Sequence, residues 1–397
     1  YNEYKTTITM EVFKIKIKEI ESELLQVNVK DSLKEIFKSI EADDLEYIKD
    51  KALEFHKTQV LKDAVIQSAQ ILEMDGNTDE IKSLIDSAMQ AGVERNLGHD
   101  YLVDIEERYS DTARITSPTP WDIINELMQG GLGAGELGVV VAPAGIGKSW
   151  VLSAMGAYAI SQGLNVVHYT LELNEAYVGL RYDSIFTGVE SQNLKYHKEE
   201  VMEKLYDLKG SLTIKYYPTK ACTVNTLSAH LKKVTTFGTK VDMVLVDYAD
   251  IMKDVGKAQE MRHALGNIYE DLRGMAGEMQ IPIWTASQAN RSALDEDVIE
   301  ASKVAESYTK VMTADFVISL SRKIEDKIGN TGRFHIIKNR FGPDGLTYPA
   351  KINTNIGKIE IFEANSVQGK GVQHKINNRD NQTKAILSAR YEDLMSE

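Results

Sequence analysis

The residues best suited to chemistry in this sequence form one short glycine-rich stretch. Residues 142–149 read Ala-Pro-Ala-Gly-Ile-Gly-Lys-Ser, follow the apolar run Leu137–Ala142 and precede a predicted helix over Trp150–Ser161. Glycines let successive backbone N–H groups wrap around phosphate oxygens, and the start of a helix adds partial positive charge. This context predicts a P-loop rather than a chance glycine-rich turn, although Ala142 stands where the pattern has its first glycine. The predicted nucleotide contacts are Ala144, Gly145, Ile146, Gly147, Lys148, Ser149 and Trp150.

A magnesium site is predicted where the P-loop meets the end of a second apolar strand. Lys148 would neutralise the β- and γ-phosphates, and the Ser149 hydroxyl would ligate Mg²⁺. The strand Val244–Asp247 ends in a carboxylate, which is the ligand that the rest of the magnesium shell requires. Tyr248 follows, whereas many ATPases carry a glutamate at that position to activate water. The catalytic base must therefore come from another element.

Two further strand ends carry candidate catalytic side chains. Glu172 ends the strand that follows the P-loop helix, and a carboxylate on this neighbouring strand is the arrangement of RecA-like motors. The alternative is an ordinary surface acid at a strand end. Gln288 follows the apolar strand Ile281–Ala286 and could hydrogen-bond the γ-phosphate or the attacking water. A polar strand cap is the alternative for Gln288.

As a set, these motifs resemble the DnaB-type hexameric replicative helicases, most closely their phage-encoded branch. The resemblance covers roughly residues 115–365 and includes Thr170–Leu173, Ala286–Gln288 and Ile337–Pro343 in the family's order. It implies a RecA-like core, ATP and Mg²⁺ as cofactors, and a homohexameric ring with single-stranded DNA in its central channel. It also implies 5′→3′ translocation, unwinding at the fork, a primase and a helicase loader as partners, and the host cytoplasm as location.

The resemblance implies that ATP lies between subunits and that one basic hairpin reaches into the neighbour's site. Arg340 matches the position of an arginine finger, and Lys338 would support it from the same face of the strand. A solvated basic hairpin facing water is the alternative for this pair.

The resemblance also implies that the loops between Ala286 and Asp315 line the DNA channel. The matching candidates for DNA contacts are Arg291, Lys303, Glu306, Ser307 and Lys310. Ala305 replaces the usual arginine and Tyr308 replaces a glycine, so the two flanking lysines would supply phosphate contacts instead. Arg291 could equally orient Gln288.

Two other classes of RecA-fold protein remain open. A RecA/RadA-type recombinase shares the core but would carry a helix-hairpin-helix or an oligomerisation strand at its N-terminus, where this chain has acidic helices. A KaiC-like regulatory ATPase would lack the DNA-facing loops. Stimulation of ATPase by single-stranded DNA and strand displacement from a fork would identify a helicase.

The elements that position these residues follow from the apolar pattern. Short apolar strands alternate with helices beyond residue 120, which predicts an α/β fold with a mostly parallel sheet covered on both faces. Apolar residues at helical spacing predict a small all-α domain over residues 1–92, including one helix over Leu53–Leu72. The polar stretch 93–120 ends in Ser-Pro-Thr-Pro and predicts a linker to the ATPase domain, 121–366. A flexible tail is predicted over 367–397, with room for a short helix at 384–395.

Composition sets the remaining bounds. The single cysteine, Cys222, excludes a disulfide framework and a cysteine-based zinc site, and no apolar run is long enough to span a membrane. The chain does not begin with methionine, so we expect residues to precede Tyr1. The formal net charge is −13, of which −10 falls within residues 1–110, while 321–375 carries +5. This distribution excludes a broad basic face, and any DNA must be held inside by a few inward cations per subunit.

Overall fold

The computed structural model describes residues 45–73, 101–102, 105–109, 114–256, 261–304 and 309–378, with isolated positions at 26, 29, 30, 81, 84, 85 and 88. The chain forms two compact units, residues 1–110 and residues 111–397. Among the described residues, no helix combines the length and the apolar character that crossing a membrane requires.

The first unit is mostly helical where it is described, with turn residues at 101–102 and 109. Helix α1 spans Leu45–Glu73, so it begins eight residues before the predicted Leu53, and α2 spans Ile105–Arg108. Ala64 and Ser68, one turn apart, are buried on one side of α1, whereas Phe55 is 65% exposed. Positions 81, 84, 85 and 88 are helical, in keeping with the all-α domain predicted over residues 1–92. The part of the predicted all-α domain that precedes residue 45 lies almost entirely outside the described residues.

The second unit is built on a large sheet. The strands are β1 Thr116–Ser117, β2 Leu132–Gly133, β3 Leu137–Ala142, β4 Val166–Thr170, β5 Leu212–Tyr216, β6 Met243–Asp247, β7 Ile283–Gln288, β8 Phe316–Ser321, β9 Thr331–Asn339, β10 Thr347–Asn353 and β11 Lys358–Ile361. In the described part of this unit, nine of them form one sheet in the order β11-β10-β9-β8-β3-β7-β6-β4-β5, and β1 pairs with β2. The run from β8 to β5 is parallel, and β9, β10 and β11 are antiparallel. The predicted α/β fold with a mostly parallel sheet is confirmed.

Helices cover this sheet on both faces. They are α3 Asp122–Leu127, α4 Lys148–Ser161, α5 Glu175–Thr187, α6 Lys198–Tyr206, α7 Val224–Thr236, α8 Met261–Met279, α9 Thr309–Thr313 and α10 Ile324–Gly329, followed by a helix α11 over residues 367–378. Alternate residues of β3 enter different cores: Val139 and Val141 pack with α7 and α8, and Val140 packs with α4 and α5. A strand buried on both faces reads as a continuous apolar run, which is why β3 was predictable to the residue.

Two regions differ from the sequence expectation. Strand β5 was not predicted, because it lies at the sheet edge and every residue of it is partly exposed, so it has no continuous apolar run. The prediction of a flexible tail is wrong for residues 367–378, which form a helix. Val372 and Ile376 lie four positions apart on that helix and are both buried. Two apolar residues at helical spacing are therefore enough to dock a segment whose composition is otherwise polar.

Candidate functional site

The P-loop joins the carboxyl end of β3 to the start of α4. Gly145 and Gly147 adopt φ angles of +71° and +122°, which residues with a Cβ rarely adopt. Helix α4 begins at Lys148, so its free N-terminal N–H groups face the loop. Ile146 is 1% exposed, so its side chain anchors the loop in the core and only its backbone is available to a ligand. The loop has the backbone shape that a phosphate group requires.

A buried hydroxyl and a buried carboxylate meet beside this loop. Ser149 Oγ donates to Asp247 Oδ1 at 3.1 Å, and Asp247 is 1% exposed. Burial raises the pKa of Asp247, while the Ser149 hydrogen bond and the charges of Arg181 and Lys148 act in the opposite direction. A buried carboxylate held by one hydroxyl hydrogen bond is poorly satisfied. Oxygen ligands of this kind fit Mg²⁺.

Lys148 is held over an aromatic ring at the centre of the site. It is 7% exposed, and its Nζ lies 4.5 Å from the centroid of the Tyr248 ring, within the range of a cation–π contact. Burial, together with the charges of Glu172, Asp250 and Asp247, raises the pKa of Tyr248 to about 12. The phenol therefore stays protonated at neutral pH. Tyr248 supports the lysine and does not replace the missing base.

Glu172 lies at the same edge as Asp247. Strands β4 and β6 pair Thr170 with Asp247, and the Leu171 N–H donates to the Asp247 carbonyl at 2.8 Å. Glu172 follows directly and is exposed, and its charge contributes to the raised pKa of Asp247. The chain then turns at Leu173, whose N–H donates to Thr170 Oγ1 at 3.3 Å. The structure thus brings an exposed carboxylate beside the buried one.

Gln288 lies between the P-loop strand β3 and the strand β6 that ends in Asp247. It ends β7 and is the register partner of Ala142, the last residue of β3. Its backbone N–H donates to Asp250 Oδ2 at 2.9 Å. The predicted residues on β3, β4, β6 and β7 therefore converge at the carboxyl edge of one parallel sheet, where ligands of open α/β sheets bind.

Two arginines, the partly buried Arg181 and the buried Arg322, lie beside this site and were not predicted. Arg181 on α5 places Nη1 3.9 Å from Asp247 Oδ2, and its guanidinium lies 5.4 Å from the Trp150 ring. Burial lowers the pKa of Arg181, against the charges of Asp247 and Glu172. Arg322 donates from Nη1 to the Ile146 carbonyl of the P-loop at 3.4 Å. An arginine in mid-helix or after a strand carries no motif, so the sequence offered no signal for either.

Arg340 lies at the amino end of the parallel strands, opposite the carboxyl edge that carries the P-loop. Its N–H donates to the Asp315 carbonyl at 3.0 Å, and the Asp315 N–H donates to Leu137, the first residue of β3. Ala142 is five residues further along β3, a separation of about 16 Å at roughly 3.3 Å per residue. Arg340 is therefore remote from the P-loop of its own chain. Its side chain is 50% exposed.

Asp315 holds the Arg340 side chain in place. It is 2% exposed and accepts from Arg340 Nη1 at 2.7 Å, from the Leu137 N–H at 2.8 Å and from Arg273 Nη2 at 3.4 Å, and Arg273 Nε forms an ion pair with it at 2.6 Å. Lys338 donates from Nζ to the carbonyl of Val311 in α9 at 2.9 Å. Burial and the nearby Arg340 charge lower the pKa of Lys338. The two predicted basic residues are thus anchored by their own chain, and the guanidinium reaches solvent.

The predicted DNA contacts differ in their exposure and in their partners. Arg291 is exposed in a short turn directly after β7. Lys303 is 33% exposed and pairs with Glu296 at 2.8 Å. The prediction for Lys310 is wrong, because its side chain is 1% exposed and forms a 2.8 Å ion pair with Asp250. Glu306 and Ser307 lie outside the described residues.

Known proteins resemble this chain over the same region. Residues 118–356 match the family model described as DnaB-like helicase C terminal domain. The DnaB-like replicative helicase of Enterobacteria phage T4 is 27% identical over 276 residues, which cover 66% of this chain and 58% of that protein. A replicative DNA helicase DnaB of Helicobacter pylori is 23% identical over 260 residues, covering 63% of this chain and 51% of the relative. The chain thus spans between half and three fifths of the length of these relatives.

Solved structures share the fold. One of them, an ATPase domain, matches with a TM-score of 0.55 at 17% identity, covering 63% of this chain and 92% of that one. A DnaB-like replicative helicase, solved in a study of its interactions with primase, matches with a TM-score of 0.61 at 16% identity. That match covers 88% of this chain and 87% of the other.

Proposed function

Because the chain belongs to the DnaB-like helicase family, we propose that it is an ATP-dependent replicative DNA helicase. Membership of this family implies nucleotide use. The observation that carries the proposal is the convergence of Lys148, Ser149 and Asp247 at one sheet edge, inside the region that the family model matches. ATP and Mg²⁺ as the specific cofactors are part of the proposal.

The residues of the P-loop fit a magnesium nucleotide. The left-handed glycines and the N-terminus of α4 would bind the phosphates, with Lys148 against the β- and γ-phosphates. Ser149 and Asp247 would hold Mg²⁺, which supplies charge neutralisation when bound. The poorly satisfied Asp247 carboxylate supports this assignment, because a cation would complete its ligands. Arg181, within 3.9 Å of Asp247, would stabilise negative charge at the same place.

Hydrolysis needs a base and a group that hydrogen-bonds the γ-phosphate or the attacking water. Glu172 is the proposed base, since it is an exposed carboxylate two residues beyond Thr170, the register partner of Asp247. It would accept the proton of the attacking water. Gln288 would hydrogen-bond the γ-phosphate or that water from the adjacent strand end.

The proposed active unit is a homohexameric ring in which each site is completed by a neighbouring subunit. Arg340 would be the arginine finger and Lys338 its support on the same hairpin. Two observations support this role: the distance of Arg340 from its own P-loop, and its half-exposed guanidinium. Sequential hydrolysis around the ring would then move a DNA-gripping loop in each subunit along one strand.

Single-stranded DNA is the proposed substrate, bound in the central channel and translocated 5′→3′. Arg291, Lys303, Glu306 and Ser307 remain the proposed contacts, and Lys310 is withdrawn. A primase and a helicase loader are the proposed partners, and one structural relative was itself studied for its interactions with primase. The similarity to a phage T4 helicase supports action in the cytoplasm of a host cell.

The test is to measure ATP hydrolysis with and without single-stranded DNA, and strand displacement from forks with a 5′ or a 3′ tail. We expect stimulation by single strands and unwinding that needs a 5′ tail on the translocated strand. Lys148→Ala is the inactive control. Mass measurement with a non-hydrolysable ATP analogue and DNA should give six subunits. Strand exchange without fork unwinding would indicate a recombinase, and no response to DNA would indicate a regulatory ATPase.

A further inference from the structure

One largely buried carboxylate, beyond the proposed magnesium ligands, accepts hydrogen bonds from four donors. Asp250 lies three residues beyond Asp247, and its Oδ1 accepts from Lys310 Nζ and from the Tyr269 hydroxyl, each at 2.8 Å. Its Oδ2 accepts from the Gln288 N–H at 2.9 Å and from Ser287 Oγ at 3.2 Å. We call this set of five residues the Asp250 hub.

The hub is buried and tightly interconnected. Lys310 is 1% exposed and Asp250 is 11% exposed. Lys310 also donates to Ser287 Oγ at 3.2 Å and lies 5.5 Å from the Tyr269 ring. Burial, followed by the Asp250 charge, raises the pKa of Tyr269 well above its ordinary value, so its hydroxyl stays a donor. Burying an ion pair is costly, and well-packed apolar residues often serve stability equally well, so its value here is geometric.

The hydrogen bonds of the hub join the two ends of one segment of the chain. Ser287 and Gln288 end β7, and Lys310 is the second residue of α9. The segment between them, 289–309, carries all the proposed DNA contacts. The carboxylate that joins its ends also receives the backbone of Gln288, the proposed reader of the γ-phosphate. The nucleotide edge and the base of the proposed DNA segment therefore share one anchor.

We propose that Asp250 and Lys310 are positioning residues that couple the nucleotide site to segment 289–309. A displacement of Gln288 on nucleotide binding or hydrolysis is transmitted through the carboxylate to Lys310, so both ends of the segment move together. In the reverse direction, DNA bound to the segment sets the position of Gln288 and thus the rate of hydrolysis. This inference rests on the proposed helicase function.

The decisive variant removes both charges at once. Asp250→Asn with Lys310→Met keeps one acceptor oxygen and a side chain of similar length, and leaves no unpaired buried charge. We expect a melting temperature near that of the wild type and ATPase without DNA within about threefold, because the P-loop, Glu172 and Asp247 are intact. The ratio of ATPase with and without a single-stranded oligonucleotide should fall at least about tenfold, toward one.

Each outcome decides the matter. A folded double variant with the wild-type stimulation ratio would show that the pair only stabilises the fold, and would overturn the coupling while leaving the helicase proposal standing. A wild-type chain that single strands do not stimulate would overturn the helicase proposal and the coupling together. If the double variant fails to fold, Tyr269→Phe decides, since it removes one donor without exposing a charge. A threefold lower ratio supports the coupling, and an unchanged ratio overturns it.

Ser184→Ala is the matched control. It removes a partly buried hydrogen bond between Ser184 Oγ and Ser191 Oγ at 2.9 Å, on α5 and away from the hub. It should lower the melting temperature slightly and leave the stimulation ratio unchanged. Lys310→Met alone should be less stable than the double variant, because it leaves the Asp250 carboxylate buried without its cation.

Discussion

Two buried aspartates at opposite edges of one sheet have contrasting surroundings. Asp247, at the carboxyl edge, is 1% exposed and receives a hydroxyl hydrogen bond of 3.1 Å and an arginine at 3.9 Å. Asp315, at the amino edge, is 2% exposed and receives a backbone N–H at 2.8 Å and two arginines at 2.6 and 2.7 Å. The two carboxylates are buried to nearly the same extent, but Asp315 has more and closer donors than Asp247.

This difference in donors suits the two carboxylates to different roles: Asp247 can take a further ligand, and Asp315 holds other side chains in place. A buried carboxylate with few donors has a raised pKa, as Asp247 has, and gains from a cation that completes its ligands. A carboxylate surrounded by close donors has no such need, and instead fixes the groups that it binds. Asp315 fixes Arg340, whose guanidinium remains half exposed. One edge carries a poorly satisfied carboxylate beside the P-loop, and the other carries a half-exposed cation held by a well-satisfied carboxylate.

The largest loss of ATPase activity is expected when Arg340, the half-exposed cation held by Asp315, is removed. Arg340→Ala should lower kcat for ATP by about 10³–10⁵, the range found for arginine fingers, with ATP binding retained. Steady-state ATPase in the presence of single-stranded DNA measures this. Lys358→Ala is the control, since it removes an exposed lysine from the edge strand β11 and should leave kcat unchanged.

Mixing variants tests whether the two edges meet between subunits. Arg340→Ala subunits keep an intact P-loop, and Lys148→Ala subunits keep Arg340. The mixture should hydrolyse ATP faster than either variant alone, because some interfaces combine the intact halves. Normal hydrolysis by each variant alone would end the shared-site proposal.

The next effect concerns the base at the carboxyl edge. Glu172→Gln should lower kcat by about 10²–10⁴, because proton transfer from water is lost, while nucleotide affinity stays near the wild-type value. Fluorescent-nucleotide binding and single-turnover hydrolysis measure the two separately. Glu175→Gln, at the exposed start of α5, is the control. Wild-type turnover in Glu172→Gln would remove this residue from its role.

A smaller loss of ATPase activity is expected when Asp315, which holds the Arg340 side chain, loses its charge. Asp315→Asn should lower kcat roughly tenfold, because a charged hydrogen bond worth about 1.5–3 kcal/mol no longer orients Arg340, which keeps its own charge. The control is Asp242→Asn at the same edge, where the carboxylate accepts the Asn165 N–H at 2.9 Å. The control should lose stability without losing kcat. Equal kcat losses in both would indicate a general effect on folding.

The smallest effect separates the two aspartates by stability alone. Without Mg²⁺ and nucleotide, Asp247→Asn should raise the melting temperature at neutral pH by a few degrees, since about 1 kcal/mol shifts Tm by roughly 2–4 °C. The raised pKa of Asp247 destabilises the folded state above the unfolded-state pKa. The gain should therefore shrink as the pH falls through the folded-state pKa. Asp315→Asn should lower the melting temperature instead, and the same sign for both variants would contradict the comparison.

Local motifs made the nucleotide site predictable. The loop from Ala144 to Trp150 is contiguous, so its chemistry depends on neighbours in the chain. The convergence of Asp247, Glu172 and Gln288 was predictable because Asp247 and Gln288 end apolar strands, Glu172 follows the end of another by two residues, and parallel strands bring their ends to one edge. Which of these strands lie side by side is not local, since the order β8-β3-β7-β6-β4 does not follow the chain.

Tertiary structure alone decided which charges are buried and paired. Lys310 reads as an exposed basic residue, yet it pairs with Asp250, 60 positions away. Arg181 reads as a surface residue of a helix, yet it lies beside Asp247. The physical reason is that desolvation and ion pairing depend on atoms brought close by packing, and an apolar pattern does not specify them. The sequence by itself determined the P-loop and the fold class, and packing decided that Asp247 lacks close donors while Asp315 and Asp250 are surrounded by them.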